Sequence, residues 1–484
     1  MLKKLIGTKA FYKKLLLLCL PIMLQNAITN FVNLLDNIMV GKVGTEQMSA
    51  VSIVNQLIFI FNLCVFGALS GIGLFTAQMH GNGDKAGVKK TFVLKLIIAL
   101  IISAIGIAVL YFLREPLINI YLNEGGEGDL ALTLSYAKQY ILIMLIGFLP
   151  FAFAQSVAST QRELGYSVAP MVCGLSAVAV NMVLNYILIF GKFGAPTLGV
   201  RGAAIATVTS RFVELFALWI YSFFRRKRYY FMSLAASDFR LEKSTVFRIL
   251  KKGFPLFINE ALWATGISLL TACYSLRGLD TVASLNIAAT LHNVFNMIAV
   301  SLGTAVSILM GQKLGANLVE EAKSDVPKIQ AFSVLLGVIV GGLLACFARF
   351  FPQIYNTTPA IRAVATKFIL VLSCTMPVVS YLNTCYFTIR SGGKTLITFL
   401  FDSVFMCCVN LPLAYLLSRF SPWNIVVVYA IVWGIDFVKC IIGTFILKSG
   451  SWANNMNAAS PAEPALEATA VATGVNVTSA EGDL

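Results

Sequence analysis

The sequence predicts an all-α polytopic membrane protein, with twelve transmembrane helices in two six-helix lobes related by a pseudo-two-fold axis along the membrane normal. Three observations lead there. Of 484 residues, 58% are hydrophobic and only 12% charged, whereas soluble domains are roughly half apolar and a quarter charged. The apolar residues gather in twelve stretches long enough to cross a bilayer. Punctuating residues also recur when the chain is shifted on itself by 234 positions. The composition excludes a soluble enzyme. Its 37 Lys and Arg give a net charge of +15, but they lack the concentrated basic face that nucleic-acid binding requires.

A helix crossing about 30 Å of hydrocarbon needs about 20 apolar residues. Stretches meeting that test lie near 15–40, 50–78, 92–113, 134–158, 168–190, 201–224, 250–275, 284–311, 330–350, 365–389, 395–417 and 424–447. The first follows Lys3, Lys4, Lys9, Lys13 and Lys14, and reads as a retained span because no small-residue cleavage site follows LLLLCLPIML. Most of the positive charge falls on one side of these spans. It comprises the N-terminus, Lys85, Lys89, Lys90, Arg162, the basic run from Arg225 through Lys252, Lys313, Lys323, Lys328, Arg390, Lys394 and Lys448. Both termini are therefore expected in the cytoplasm of a plasma-membrane protein. The basic stretch 225–252 reads as an orientation and lipid-headgroup signal.

That stretch separates an N-terminal lobe, 1–235, from a C-terminal lobe, 236–450. The shift of 234 pairs Pro21 with Pro255, Gly44 with Gly278, Asn62 with Asn296, Gln78 with Gln312 and Gly81 with Gly315. Six spans per lobe is an even number, so both lobes share one topology and their axis runs along the membrane normal. Residues 451–484, rich in Ala, Ser, Thr and Pro, read as a disordered acidic tail.

Ten Cys without a CxxC pair read as small core residues rather than disulfides or a zinc site. Two His leave little scope for imidazole metal chemistry. The fragment Gly392-Gly393-Lys394-Thr395 has Thr388 where a phosphate-cradling loop needs its first Gly. The expectation is a transporter with no enzymatic activity, cofactor or metal centre, driven by an ion gradient or another domain.

Ionisable and amide side chains inside spans are costly and mark candidate cavities. Asn26, Asn30, Asn33, Asp36 and Asn37 line one face of the first span at intervals of three or four. Ser52, Gln56, Phe59 and Asn62 in the second span are matched at the same repeat positions by Asn286, Thr290, Asn293 and Asn296 in the eighth. A shared cavity and ordinary helix packing both account for such stripes. Asn181 and Asn185 stand one turn apart in the fifth span, and Glu260 and Asp402 are the second-half acids. Arg211 with Glu214, and Asp436 with Lys439, are spaced as internal i, i+3 ion pairs.

The run DNIMVGKVG (36–44), SAVSIVNQ (49–56), GNGD (81–84), NMVLNYILIFGKFGAPTLGVRGAAIAT (181–207), RSGGKT (390–395), NLPLAYLL (410–417) and KSGSW (448–452) resembles the multidrug and toxic compound extrusion (MATE) family. The resemblance covers about residues 10–456. It implies two lobes in a V shape and export of small cationic or amphipathic compounds in exchange for protons or sodium ions, by a monomer in the bilayer. It also implies a coupling role for Asp36, with Asn33, Asn181, Asn185 and Thr207 around it. A sodium ion bound at Asp36, Asn181 and Asn185 is the alternative to a proton. Glu260, five residues after Pro255, matches a second-lobe acid of a sodium-linked branch, whose tenth-span acid has no counterpart between Val378 and Asn383. The rival reading is a lipid-linked oligosaccharide flippase of the same wider superfamily.

Overall fold

The computed structural model describes residues 5–122, 129–355 and 357–456, and the side chains of Asn33, Leu34, Asn37 and Leu279 are also outside that description. Regular structure among the described residues is helical. The first lobe holds α1 (Lys9–Gly41), α2 (Thr45–Gly81), α3 (Lys85–Phe112), the short α4 (Arg114–Asn119), α5 (Leu130–Ile146), α6 (Phe148–Glu163), α7 (Val168–Phe190) and α8 (Val200–Phe224). The second holds α9 (Lys243–Ser275), α10 (Leu279–Gly315), α11 (Val319–Phe347), α12 (Pro359–Ser391), α13 (Thr395–Phe399), α14 (Leu411–Phe420), α15 (Ile425–Gly434) and α16 (Asp436–Ser449). Among the described residues eleven helices, with α13–α14 and α15–α16 each read as one span, are long and apolar enough to cross a membrane, and α5 with α6 makes a twelfth.

Local chemistry sets the ends of these helices. Thr8 caps α1 by accepting from the Phe11 N–H at 3.2 Å, so the helix begins well before the predicted 15. Asp84 caps α3 through the Gly87 N–H at 2.8 Å, and Asp129 caps α5 through the Leu132 N–H at 3.0 Å. The fourth span, expected as one stretch over 134–158, is instead bent by 45° between α5 and α6. Pro150 is the cause, because it has no N–H and its ring excludes the carbonyl four residues back. The Gly147 N–H turns to the Met144 carbonyl at 2.9 Å, and Arg211 donates to the Gly147 carbonyl at 3.3 Å. In the eleventh span, π-helical turns over Leu400–Val404 and Met406–Asn410 precede Pro412 and place Asp402 where the helix is widened.

The internal repeat is visible in the helix bounds. α9 begins and ends 234 residues after α1, and α10 does the same after α2. The offset falls to 229 at the start of α12 relative to α5, and to 225 for α15–α16 relative to α8. The loss occurs in connections, which tolerate length changes.

Lipid does not drive helices together as water does, so close backbone approach matters more. Gly71 of α2 meets Gly253 of α9, where an added Cβ would stand 2.6 Å from the Gly253 Cα. At the ends of α2 and α10 the contact is reciprocal. A Cβ at Gly81 would lie 2.0 Å from the Gln312 carbonyl oxygen, and one at Gly315 would lie 1.9 Å from that of Gln78. The partners are each other's repeat equivalents, as a two-fold between the lobes requires.

Burial shows where the lobes join. One core combines Leu15, Leu18 and Cys19 of α1 with Leu302, Leu309, Ile389 and Trp452, and another combines Ile72, Phe75 and Leu94 with Ile249. Both mixed cores lie at the end that carries the 225–242 linker. Toward the opposite end each lobe has its own core, around Val54, Phe61 and Phe148 in the first and around Leu285, Phe368 and Tyr429 in the second. The lobes therefore close at the linker end and separate away from it. The linker packs against α3, with Phe231 and Tyr229 buried, Lys89 3.5 Å from Asp238, and the Tyr230 hydroxyl 3.0 Å from Nδ1 of His80. Burial and then the Asp84 charge push the Tyr230 phenol up to about 12, so it stays neutral.

The Cys expectation holds in part. The ten are free, and Cys19, Cys173 and Cys385 are buried, but Cys346, Cys374 and Cys408 lie on the apolar exterior. The tail expected over 451–484 divides, since residues 451–456 pack where the two lobes meet and those from 457 onward lie outside the described residues.

Candidate functional site

The polar face of α1 meets two other helices of its own lobe. Asp36, half-buried, accepts a hydrogen bond from Nδ2 of Asn185 in α7 at 2.6 Å. The same Nδ2 lies 3.3 Å from Oδ1 of Asn181, and Nδ2 of Asn181 donates to the Thr207 hydroxyl in α8 at 3.3 Å. Thr207 in turn donates to the Ala203 carbonyl at 3.0 Å. Asn181 and Asn185 are buried because they face the α1–α8 seam, and Oδ1 of Asn185 has no hydrogen-bond partner among the described residues. The outcome is a carboxylate beside an unused buried oxygen. The side chain of Asn33 lies outside the described residues. Further down α1, Asn26 donates to Ser301 of α10 at 3.2 Å and links the lobes.

The second-lobe acids belong to a different arrangement. Glu260 lies 3.6 Å from Nη1 of Arg390, whose other contacts include the Tyr386 hydroxyl at 3.2 Å. Asn259 donates to that hydroxyl and to Asp402, each at 3.1 Å, and Lys439 lies 3.6 Å from the second Asp402 oxygen. Glu260, Arg390, Tyr386, Asn259, Asp402 and Lys439 thus form one continuous chain across α9, α12, the π-turns and α16. Both second-lobe acids already have cationic neighbours, and Asp36 has none among the described residues.

Two expectations from spacing fail here. Neither Arg211 with Glu214 nor Asp436 with Lys439 closes as an i, i+3 salt bridge among the described residues. Lys439 turns to Asp402, Asp436 accepts from Asn410 at 3.2 Å, and Arg211 packs over the Phe151 ring at 5.0 Å. The reason is geometric, since each cation reaches a better partner on a neighbouring helix. Arg390, counted above with the loop charges, is 2% exposed and lies inside α12.

A cavity of about 350 Å³ lies between the lobes, walled by α2, α6, α10 and α12, with Asn62, Phe66, Gln155, Thr304, Phe387 and Arg390 among its lining. Asn62 and its repeat equivalent Asn296 each have a buried Oδ1 without a partner among the described residues. Of the four predicted lining residues Asn62 belongs to this lining, whereas Asn296 does not, and Gln56 and Asn293 are exposed outside it. Behind the cavity wall formed in part by Ser159 and Glu163, Lys95 is fully buried against Glu163 at 2.6 Å, with Ser159 and Thr160 at 3.0 and 3.2 Å. Lys95 stands within the predicted span 92–113. A lone cation in hydrocarbon demands an acid, and Glu163 at the end of the next span was the signal to follow.

These contacts make Asn185 the first position to test. A hydrogen bond to a charged group is worth about 1.5–3 kcal/mol, so Asn185→Ala is expected to shift the ion concentration for half-maximal exchange by about tenfold or more. Ion-dependent efflux from reconstituted vesicles reads that shift, and an unchanged midpoint removes Asn185 from the site.

Residues 21–187 and 255–416 match the family model MatE. The chain belongs to the MATE family. It is 26% identical over 415 residues to the probable multidrug resistance protein NorM of Thermotoga maritima, covering 84% of this chain and 86% of that one. It is 30% identical over 367 residues to the probable NorM of Shewanella oneidensis, covering 74% and 76%, and 27% identical to the multidrug resistance protein PmpM of Pseudomonas aeruginosa, covering 75% and 74%. Among solved structures, the outward-facing conformation of a multidrug resistance MATE family transporter superposes with a TM-score of 0.79 at 19% identity, over 90% of this chain and 95% of the other. The MATE fold explains the two lobes and twelve spans, and makes this chain a multi-pass membrane transporter rather than an enzyme.

Proposed function

We propose that this protein exports small cationic or amphipathic compounds from the cell, by antiport against protons or sodium ions, with Asp36 as the residue at which ion and substrate compete. The observation that carries the reading is the Asp36–Asn185–Asn181–Thr207 chain. It holds a carboxylate that, among the described residues, has no cation of its own, beside a buried oxygen with no partner there. The printed names of the relatives, as multidrug resistance proteins, support the substrate class.

If the basic linker faces the cytoplasm, as its charge predicts, the lobes are closed inside and open outside. A cation entering from outside neutralises Asp36 and weakens its hold on a positively charged substrate, which leaves. A sodium ion is a hard cation that takes oxygen ligands, and Asp36 with the amide oxygens of Asn181 and Asn185 provides them. A proton needs only the carboxylate. Coupling in either case requires that the ion bind the two conformations with different affinity. Both termini are cytoplasmic and the plasma membrane is the setting in this reading, with one chain as the working unit.

The flippase reading draws on one observation, the presence of Arg162 and Arg390 on the cavity wall. Glu163 on the same wall and Glu260 beside Arg390 offset that charge. The deciding experiment is dye-cation efflux from vesicles under separately imposed proton and sodium gradients. Efflux driven by one gradient is expected, and no response to either would favour the flippase.

A further inference from the structure

A second cavity, of about 270 Å³, lies at the linker end where α2, α9, the α12–α13 turn and the segment after α16 meet. Its lining includes Arg248, Lys252, Lys394, Phe75, Asn454 and Met456, and among the described residues no carboxylate. Lys252 is held at the rim by donating to the Gly393 carbonyl at 3.3 Å. None of the three cations has a salt-bridge partner among the described residues, whereas nearby Lys89 and Lys90 are paired with Asp238 and Glu242 at 3.5 and 3.4 Å. Three like charges around one space repel each other, and an anion between them reverses that repulsion. The space far exceeds the roughly 10–15 Å³ that one water needs, so it accommodates a multi-atom group.

The cavity has a fixed roof. Trp452 is fully buried and its Nε1 donates to the Leu447 carbonyl at 3.2 Å. A Cβ at Gly392 would lie 1.6 Å from the Trp452 carbonyl oxygen, and one at Gly393, where φ is +74°, would lie 2.2 Å from Sδ of Met456. Only glycine lets the chain after α16 settle so close. Gln78 of the first lobe then ties the roof down, donating to the carbonyls of Ser391 at 2.9 Å and Asn454 at 3.1 Å and accepting from the Met456 N–H at 2.7 Å. Beside the opening, Phe247, Leu250 and Phe254 of α9 and Leu396 and Leu400 are exposed. A phosphate drawn to the cations therefore has an apolar surface next to it.

We propose that this cavity binds the phosphate of an anionic phospholipid headgroup, with acyl chains along the exposed apolar face of α9 and α13. Because its walls come from both lobes, occupancy and closure at the linker end are linked. Basic pockets between membrane helices bind phosphorylated headgroups by the same charge complementarity.

Native mass spectrometry of the full-length protein in detergent tests this, with dioleoylphosphatidylglycerol, dioleoylphosphatidylcholine and glycerol 3-phosphate as probes. Retention of phosphatidylglycerol over phosphatidylcholine is expected. At roughly fivefold per cation, Arg248→Ala/Lys252→Ala/Lys394→Ala should weaken it about a hundredfold. The control Lys192→Ala/Arg349→Ala/Lys367→Ala, which removes equal charge from exposed positions at the opposite end, should leave it unchanged. Lys394→Arg, which keeps the charge, should retain the lipid, and thermal unfolding midpoints confirm that each variant is folded. Equal weakening in both triple variants, or equal retention of the two lipids, would overturn the site. Glycerol 3-phosphate binding as tightly as the lipid would overturn the membrane source.

Discussion

Asp36→Asn is expected to abolish both drug efflux and ion exchange in reconstituted vesicles while leaving the protein folded. The substitution keeps the side-chain shape and can still accept a hydrogen bond from Asn185, which now lies 2.6 Å away. What it removes is the charge. Without a carboxylate, the coupling ion loses its binding difference between conformations, and an ion with equal affinity for both cannot shift them. Exchange of labelled sodium, proton uptake and dye efflux should all fall to the level of empty vesicles. Full efflux and exchange by the Asn variant would show that coupling lies elsewhere, and the Glu260–Arg390–Asp402–Lys439 chain would be the next place to look.

The second large effect is steric. In Gly81→Val/Gly315→Val, each new side chain would run into a backbone carbonyl that an added Cβ alone approaches to 2.0 and 1.9 Å. Backbone cannot step aside as a flexible side chain does, and overpacking typically costs about 1–3 kcal/mol per site. The two contacts are related by the repeat, so both strain the same closure. The double variant should therefore hold the linker end open and lose transport, although each lobe keeps its separate core around Phe148 or Phe368. Spin labels at exposed Asn82 and Ala316, with Cys346, Cys374 and Cys408 replaced, measure the separation. Wild-type distances together with wild-type efflux would refute the closure role of this crossing.

The parts of this fold that could be read from the chain are those set by local sequence. Apolar stretches gave the spans, because about 20 residues must satisfy their own backbone in lipid wherever they occur. Gln78, Gly81, Gln312 and Gly315 could be aligned, since a repeat is a property of order along the chain. That these four cross reciprocally could not, because periodicity names the face of a helix and not the face it meets. Pro150 was visible, but its bend depended on how α5 packs and on Arg211 reaching the Gly147 carbonyl. Asp36 stood out as an acid within a span. Its partner Asn185 lies 149 positions away; no spacing rule links residues that far apart, and only the family resemblance put the two side by side before the contact was seen.

Charge pairing shows the same division. The sequence by itself determined the membrane setting, the two-fold repeat, and which residues carry charge into the apolar region. Only the tertiary structure decided which charges meet, bringing Lys439 to Asp402 instead of Asp436, Lys95 to Glu163, and Arg390 from an expected loop to the side of Glu260. The physical reason is that a charge inside the bilayer must find a partner, and the nearest partner in space belongs to whichever helix packing brings alongside. Hydropathy adds up residue by residue along the chain, whereas pairing depends on how helices far apart in sequence are arranged in three dimensions.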